Sequence, residues 1–207
     1  MLGEDKKRVL AARGTKILYN VTSSTRDHIT CVLTVNAEGH MAPPRCLFRG
    51  VRNVAAKHLA LLPVDGISGA WGLTSTVNGF ITAETFILVL QDLVQIVEEK
   101  QIERPIIVFM DGAAPHISLA MAEYCKVQGI QPWLLKPNTT HLTQPLDLTV
   151  MKSLKDILKR KVTAWQHSNT TSLTKYSVVP LLRESEEELL TRPKVIVNSF
   201  RCAGIVP

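Results

Sequence analysis

The chain has 207 residues, 45% hydrophobic and 20% charged, which is ordinary for one globular domain with a sizeable core. Its net charge of +6 and pI near 9.3 suit a polyanionic partner. No apolar stretch approaches the ~20 residues of a membrane span and the start lacks the apolar centre of a signal peptide, which predicts a soluble, intracellular chain.

In chain order, residues 1–14 are polar and basic, with a weak strand signal at Val9-Leu10, and residues 17–21 read as a short strand. Residues 28–37 have the β-branched richness of a strand, and Glu38-Gly39 makes a turn. Residues 41–48 return as its hairpin partner, where Pro43-Pro44 implies an edge or a bulge. Residues 51–70 show no periodicity, and residues 71–75 form another short strand. A helix follows over about 81–100, capped by Thr82 or Asn78. Phe86, Leu90, Leu93 and Val97 form its core-facing stripe, while Glu84, Asp92, Glu98 and Glu99 face water.

Residues 105–110 are an unbroken apolar run, the pattern of a strand buried on both faces in the middle of an α/β sheet. It stops at Asp111-Gly112, which sets a carboxylate at the carboxyl end of a central strand, where open α/β sheets bind ligands. A helix over 118–128 closed by Gly129, a strand over 131–135 and a proline-bearing loop over 136–146 come next. From Asp147 a helix runs to about Trp165, with Asp147, Met151, Leu154 and Leu158 on one face, so Asp147 points inward at the sheet end. Lys152, Lys155 and Lys159 form a separate stripe, joined by Arg160 and Lys161. In the tail, a helix near 174–182 is interrupted by Pro180, an acidic run covers 184–188, and residues 193–202 read as helical.

Two carboxylates converging in a basic chain point to magnesium and phosphodiester chemistry. Taken by themselves, Asp111 and Asp147 each also read as a helix N-cap, the latter following Pro145. His116 either orients a carboxylate or phosphate or makes a local hydrogen bond at a helix start. His141 and Gln144 either touch DNA or brace the loop before Asp147. The lysine stripe either contacts phosphates or is a solvated helix face. Aromatic residues, at 5%, are too few for a single-strand stacking platform. The four cysteines, at 31, 46, 125 and 202, show no CxxC and fit reduced, mostly buried thiols. A zinc site built from His116, Cys125 and His141 would lack the usual ligand spacing.

Two segments also carry a family resemblance: Met110-Asp111-Gly112-Ala113-Ala114-Pro115-His116, and Lys136-Pro137-Asn138-Thr139-Thr140-His141 through Gln144-Pro145-Leu146-Asp147 to Leu154-Lys155. They resemble the DDE-superfamily endonuclease domain of pogo-type transposases in the mariner group, including the Tigger and Jerky-like genes derived from them. Gly14-Thr15-Lys16, the segment 79–82 (GFIT) and the closing 200–207 (FRCAGIVP) extend the likeness over nearly the whole chain. The resemblance implies an α/β, RNase H-like mixed sheet flanked by helices. It also implies a single DDE domain over 1–207 with a C-terminal helical extension over 166–207.

In that family three acidic residues hold Mg²⁺ (or Mn²⁺), and Asp111 matches the second and Asp147 the third. Two such ions ~3.5–4 Å apart activate the attacking oxygen and stabilise the leaving one in an in-line displacement. The family's first acidic residue ends a strand that precedes the match to residues 6–11, so its role is not carried to Glu4 or Asp5. The first central strand is thus missing from this chain. Its loss leaves two apolar strand edges facing a gap, unless residues 17–21 or a longer chain fill it. The resemblance implies DNA as partner, homodimers or other nuclear proteins as further partners, a nuclear location, and metal-dependent DNA strand cleavage and joining. The alternative is a catalytically inactive, domesticated DNA-associated scaffold or interaction protein without the first acid. A generic basic α/β nucleic-acid-binding domain leaves the second motif unexplained.

Overall fold

The computed structural model describes residues 29–50, 71–169, 171 and 173–206, so the strand expected at 17–21 and the stretch 51–70 lie outside the described residues. The fold is mixed α/β, with small sheets flanked by helices. β1 (Ile29–Val35) and β2 (Met41–Arg49) form the expected antiparallel hairpin. Gly39, at φ +96°, makes the turn, and a Cβ there would meet Pro193 at 3.0 Å, so the turn seats closely on the C-terminal helices.

β3 (Gly72–Thr76) adds parallel to β2. β2 is therefore the middle strand of its sheet, and Pro43-Pro44 marks a bulge rather than an edge. Val32 pairs with Arg45 and Thr34 with Ala42, so the two prolines together oppose Leu33. Lacking N–H groups, they sit where the ladder is already interrupted.

α1 (Ala83–Glu99) starts at Thr82, whose side chain accepts from Thr85 N while Thr85 Oγ1 accepts from Thr82 N, a reciprocal cap. Phe86, Val89, Leu90, Val94 and Val97 are buried along it, and Leu93 of the expected stripe is half-buried. Asp92 does not face water as the pattern suggested. Both its carboxylate oxygens bind Arg45, at 2.7 Å each, and Arg45 also donates to Thr74 Oγ1 at 2.7 Å. The guanidinium lies so close over Gly72 that a Cβ there would stand 2.7 Å from its carbon.

β4 (Ile106–Met110) and β5 (Ile130–Leu134) pair in parallel, with α2 (Leu119–Val127) as the crossover. One face of this pair, through Ile106, Val108, Met110 and Ile130, joins α1 and α2 in a common core. The expectation that β4 is buried on both faces fails: Ile107 and Trp133 are each 58% exposed on the other side. Among the described residues the two sheets share no ladder, so β1 and β4 each keep one edge without a paired strand.

The loop after β5 holds a short helix, α3 (Thr140–Thr143), and a five-residue π-turn (Leu146–Val150) that opens into α4 (Met151–Ser168). α5 (Lys175–Leu190) runs straight through Pro180, and the acidic run belongs to it. The proline sacrifices one intrahelical bond, but Val179, Leu181 and Leu182 beside it are buried and hold the helix continuous. α6 (Pro193–Cys202) completes the layer. Leu154, Ile157, Leu189, Ile196 and Phe200 from these helices pack on Leu33, Cys46, Phe48 and Trp71. Alternation along β1 divides the cores: Cys31, Leu33 and Val35 enter this cluster, and Val32 enters the one under α1.

Glu186 is buried on α5. Burial pushes its carboxyl up from 4.5 to about 7, with the neighbouring Glu187 adding to the rise; a hydrogen bond to Trp71 and the charge of Arg183 oppose it. Between those two values the folded chain holds a proton that the unfolded chain has lost, so stability falls as pH rises through that window. Glu186→Gln should raise the unfolding free energy at pH 8 by about 3 kcal/mol and leave it nearly unchanged at pH 4.5, measured by urea denaturation. Arg45→Met, which strands the half-buried Asp92, should lower it by roughly 2–3 kcal/mol in the same assay, and Asp92→Asn by about 1 kcal/mol.

Candidate active site

Asp111 follows directly on β4, where the strand's last paired residue is the buried Met110. Its Oδ1 accepts the backbone N–H of Ala113 at 3.1 Å, closing a local turn of the kind Asp favours. The same oxygen stands 2.7 Å from Nδ1 of His116, which also lies 3.2 Å from the carbonyl of Asp111. Because a carboxylate only accepts, Nδ1 carries the proton in this pair. His116 comes back to Asp111 on a 3₁₀ turn (Ala114–His116) whose start is set by Pro115. Its ring lies against Phe86 of α1, with centroids 4.2 Å apart, and its side chain is mostly covered, whereas that of Asp111 is 38% exposed. Among the described residues, both contacts of the carboxylate fall on Oδ1. Asp111 caps no helix; α2 is capped by Ser118, which accepts from Met121 N.

Leu135 N donates to Met110 O at 2.8 Å, so the loop that ends in Asp147 departs from the same sheet end as Asp111. That loop is braced by hydroxyls. Thr139 Oγ1 donates to Lys136 O at 2.7 Å, Thr143 Oγ1 to Thr139 O at 2.9 Å, and the two hydroxyls are 3.1 Å apart. Asn138, at φ +63°, supplies the left-handed residue that the turn needs. Gln144, half-buried, holds the π-turn through its carbonyl, which accepts from Asp147 N at 3.0 Å and Leu148 N at 3.3 Å. Thr149 Oγ1 donates to Val195 O at 2.9 Å, and Val150 is fully buried, fixing the other end of the turn to the core.

Asp147 itself is exposed, and its side chain makes no cap. It therefore does not lie in line with buried Leu154 as regular helical spacing suggested. A π-turn takes more residues per turn than an α-helix, so the register before Met151 is displaced from the one after it. His141 is exposed on α3. Lys152, Lys155 and Lys159 are exposed along α4, and Arg160 and Lys161 further along it reach α5. Arg160 pairs with Glu188, and Lys161 lies 3.5 Å from Glu184 and 3.6 Å from Glu188. The bracing threonines and the Phe86 support were missed in the sequence. The four-residue spacing of Thr139 and Thr143 was the available signal.

Oxygen donors of the right kind for a hard cation are present in Asp111 and Asp147. Among the described residues, however, no group of three or more His, Cys, Asp or Glu side chains converges as a metal site, so the donor set is partial. The imagined zinc site likewise has no counterpart there: Cys125 is buried beside the Met121 sulfur, while His141 is exposed.

The class of protein follows from the family to which this mixed α/β fold is matched. The chain belongs to the DDE superfamily endonucleases, whose family profile matches residues 26–190. Endonucleases of this superfamily act on DNA and are generally dependent on divalent metal. The chain is also similar to a curated protein of Cochliobolus lunatus called MFS-type transporter clz9, with 27% identity over 187 residues, 90% of this chain. It spans 20% of that protein's length.

The His116 contact separates into ring packing and hydrogen bond. His116→Phe should keep the stacking on Phe86 and lower the unfolding free energy by about 1 kcal/mol. His116→Ala should lower it by roughly 2–3 kcal/mol in the same urea titration.

Proposed function

We propose that this chain is the catalytic domain of a pogo-type transposase of the mariner group, or of a Tigger- or Jerky-like gene derived from one, acting on DNA in the nucleus. The observation that carries the reading is the Asp111–His116 pair at the end of β4, within a chain whose family profile covers most of its length. Asp111 and Asp147 are the residues that would hold Mg²⁺ or Mn²⁺, with a third carboxylate supplied from outside the described residues. When bound, such ions polarise a phosphodiester and lower the pKa of an attacking water or hydroxyl.

The chain's own parts position that chemistry. His116 holds one oxygen of Asp111 in place, and the Thr139–Thr143 brace and the π-turn hold the loop that carries Asp147, which leaves the sheet at the end where Asp111 stands. The exposed Lys152, Lys155 and Lys159 give α4 a face for phosphates, each contact adding salt-dependent affinity. His141 and Gln144 flank that approach, with Gln144 acting chiefly through the loop it braces. Residues 1–207 form one domain in this reading, and 166–207 are its helical extension. Assembly as a homodimer or with other nuclear proteins completes it.

A second reading, an inactive DNA-associated scaffold, draws on the partial donor set among the described residues. Among the described residues no helix is long and apolar enough to cross a membrane.

Incubating the purified chain with supercoiled plasmid and Mg²⁺ or Mn²⁺ separates the two readings. Catalysis predicts metal-dependent nicking that falls at least ~10²-fold in Asp111→Asn and in Asp147→Asn, with DNA retention in gel shifts unchanged. Retention of DNA without nicking by the parent chain selects the scaffold. Loss of retention at low salt in Lys152→Glu/Lys155→Glu, with folding intact, would place the DNA on α4.

A further inference from the structure

The β1–β2 hairpin carries two thiols that the candidate site does not use. Cys31 and Cys46 are direct partners across the antiparallel ladder, and their sulfurs are 3.7 Å apart. Residues opposed in this way have Cα atoms about 4.5–5.5 Å apart, inside the roughly 4.4–6.8 Å that a disulfide spans. Bringing the sulfurs to about 2.05 Å thus needs side-chain rotation and little backbone movement. Both sulfurs belong to the core under the C-terminal helices, where Cys46 is fully buried and Cys31 half-buried. The other two cysteines are elsewhere: Cys125 is in the second cluster and Cys202 is exposed on α6.

We propose that Cys31 and Cys46 are a dithiol site that closes reversibly to a cross-strand disulfide on reaction with hydrogen peroxide. The more accessible Cys31 gives up its proton and its sulfur attacks one peroxide oxygen. The O–O bond breaks, the departing hydroxide takes that proton to become water, and Cys31 is left as the sulfenic acid. The Cys46 sulfur then attacks the Cys31 sulfur. The S–S bond forms, the S–O bond breaks, and the hydroxyl leaves with the Cys46 proton as a second water. Two thiols are oxidised by two electrons, and one peroxide is reduced to two waters.

Several groups hold the Cys31 proton well above its ordinary value: its contact with the Cys46 thiol first, then burial, then the nearby Glu186 carboxylate. Attack on peroxide is therefore slower than at an exposed thiol such as Cys202, and the pair stays reduced until oxidant persists. Once closed, the bridge pins the hairpin next to the Pro43-Pro44 bulge, where the ladder is weakest. It also restricts the unfolded chain.

The test uses the full chain carrying Cys202→Ser, treated with hydrogen peroxide, alkylated, digested and mapped by mass spectrometry. The expected product is a Cys31–Cys46 linked peptide pair lighter by two hydrogens than the two free peptides. It should form while the circular dichroism stays native, revert with dithiothreitol, and raise Tm by several degrees. Independent oxidation of Cys31 to sulfinic acid without the link, a link that forms only in denaturant, or a linked protein with lowered Tm would each overturn the proposal. Because the link is read on a chain with both cysteines intact, the result does not depend on whether Cys31→Ser or Cys46→Ser folds.

Discussion

The candidate site depends on a chain of supports that begins away from it, at the two-pronged bond between Arg45 and Asp92. That bond fastens α1 to the middle strand of the hairpin sheet, and the third prong, to Thr74, reaches the neighbouring strand as well. Fastened there, α1 presents Phe86 to His116, and His116 in turn holds the carboxylate of Asp111. A planar guanidinium suits this role because it can bind both carboxylate oxygens at once and still donate sideways. Gly72 leaves the space in which the guanidinium lies.

The second acidic position rests on different physics. Asp147 is presented by a loop whose backbone is satisfied from within, through threonine hydroxyls and the Gln144 carbonyl, and which is anchored by fully buried Val150. A braced loop on a buried anchor combines an exposed side chain with a fixed backbone. The proposed metal role draws on both properties, since a cation must reach a carboxylate and must find it already in place. His116 likewise fixes one oxygen of the partly exposed Asp111.

The two apolar clusters explain why one face of β4 and β5 is open. Helices α4 to α6 spend their apolar faces on the β1–β2 hairpin, while α1 and α2 cover one face of β4 and β5. Ile107 and Trp133 therefore stay in contact with water, although the sequence of β4 reads as buried on both faces. The buried Glu186 and the Cys31–Cys46 pair lie on the hairpin side of this division, so they bear on the stability of the scaffold rather than on the carboxylates.

The family resemblance supplied the mixed α/β class, and the hairpin, the helix capped by Thr82 or Asn78, the strand ending at Asp111 and the Gly129 stop were legible in the sequence. Each follows from local chemistry: glycine in turns, hydroxyl caps, and apolar runs of strand length. The identity of the two aspartates as candidates was legible for the same reason, since each stands at a break between an apolar pattern and a turn. What tertiary structure alone decided was who meets whom. Asp92 carries the helical spacing of a solvent-facing residue and is held by an arginine 47 positions away. Cys31 and Cys46 show no sequence motif and become neighbours through strand register. Asp147 was displaced from the apolar stripe by a π-turn that no residue pattern announces. Composition and periodicity report what each residue prefers within one turn or one strand. Pairings across the chain depend on how the elements share a limited apolar surface, and that is settled only when they pack.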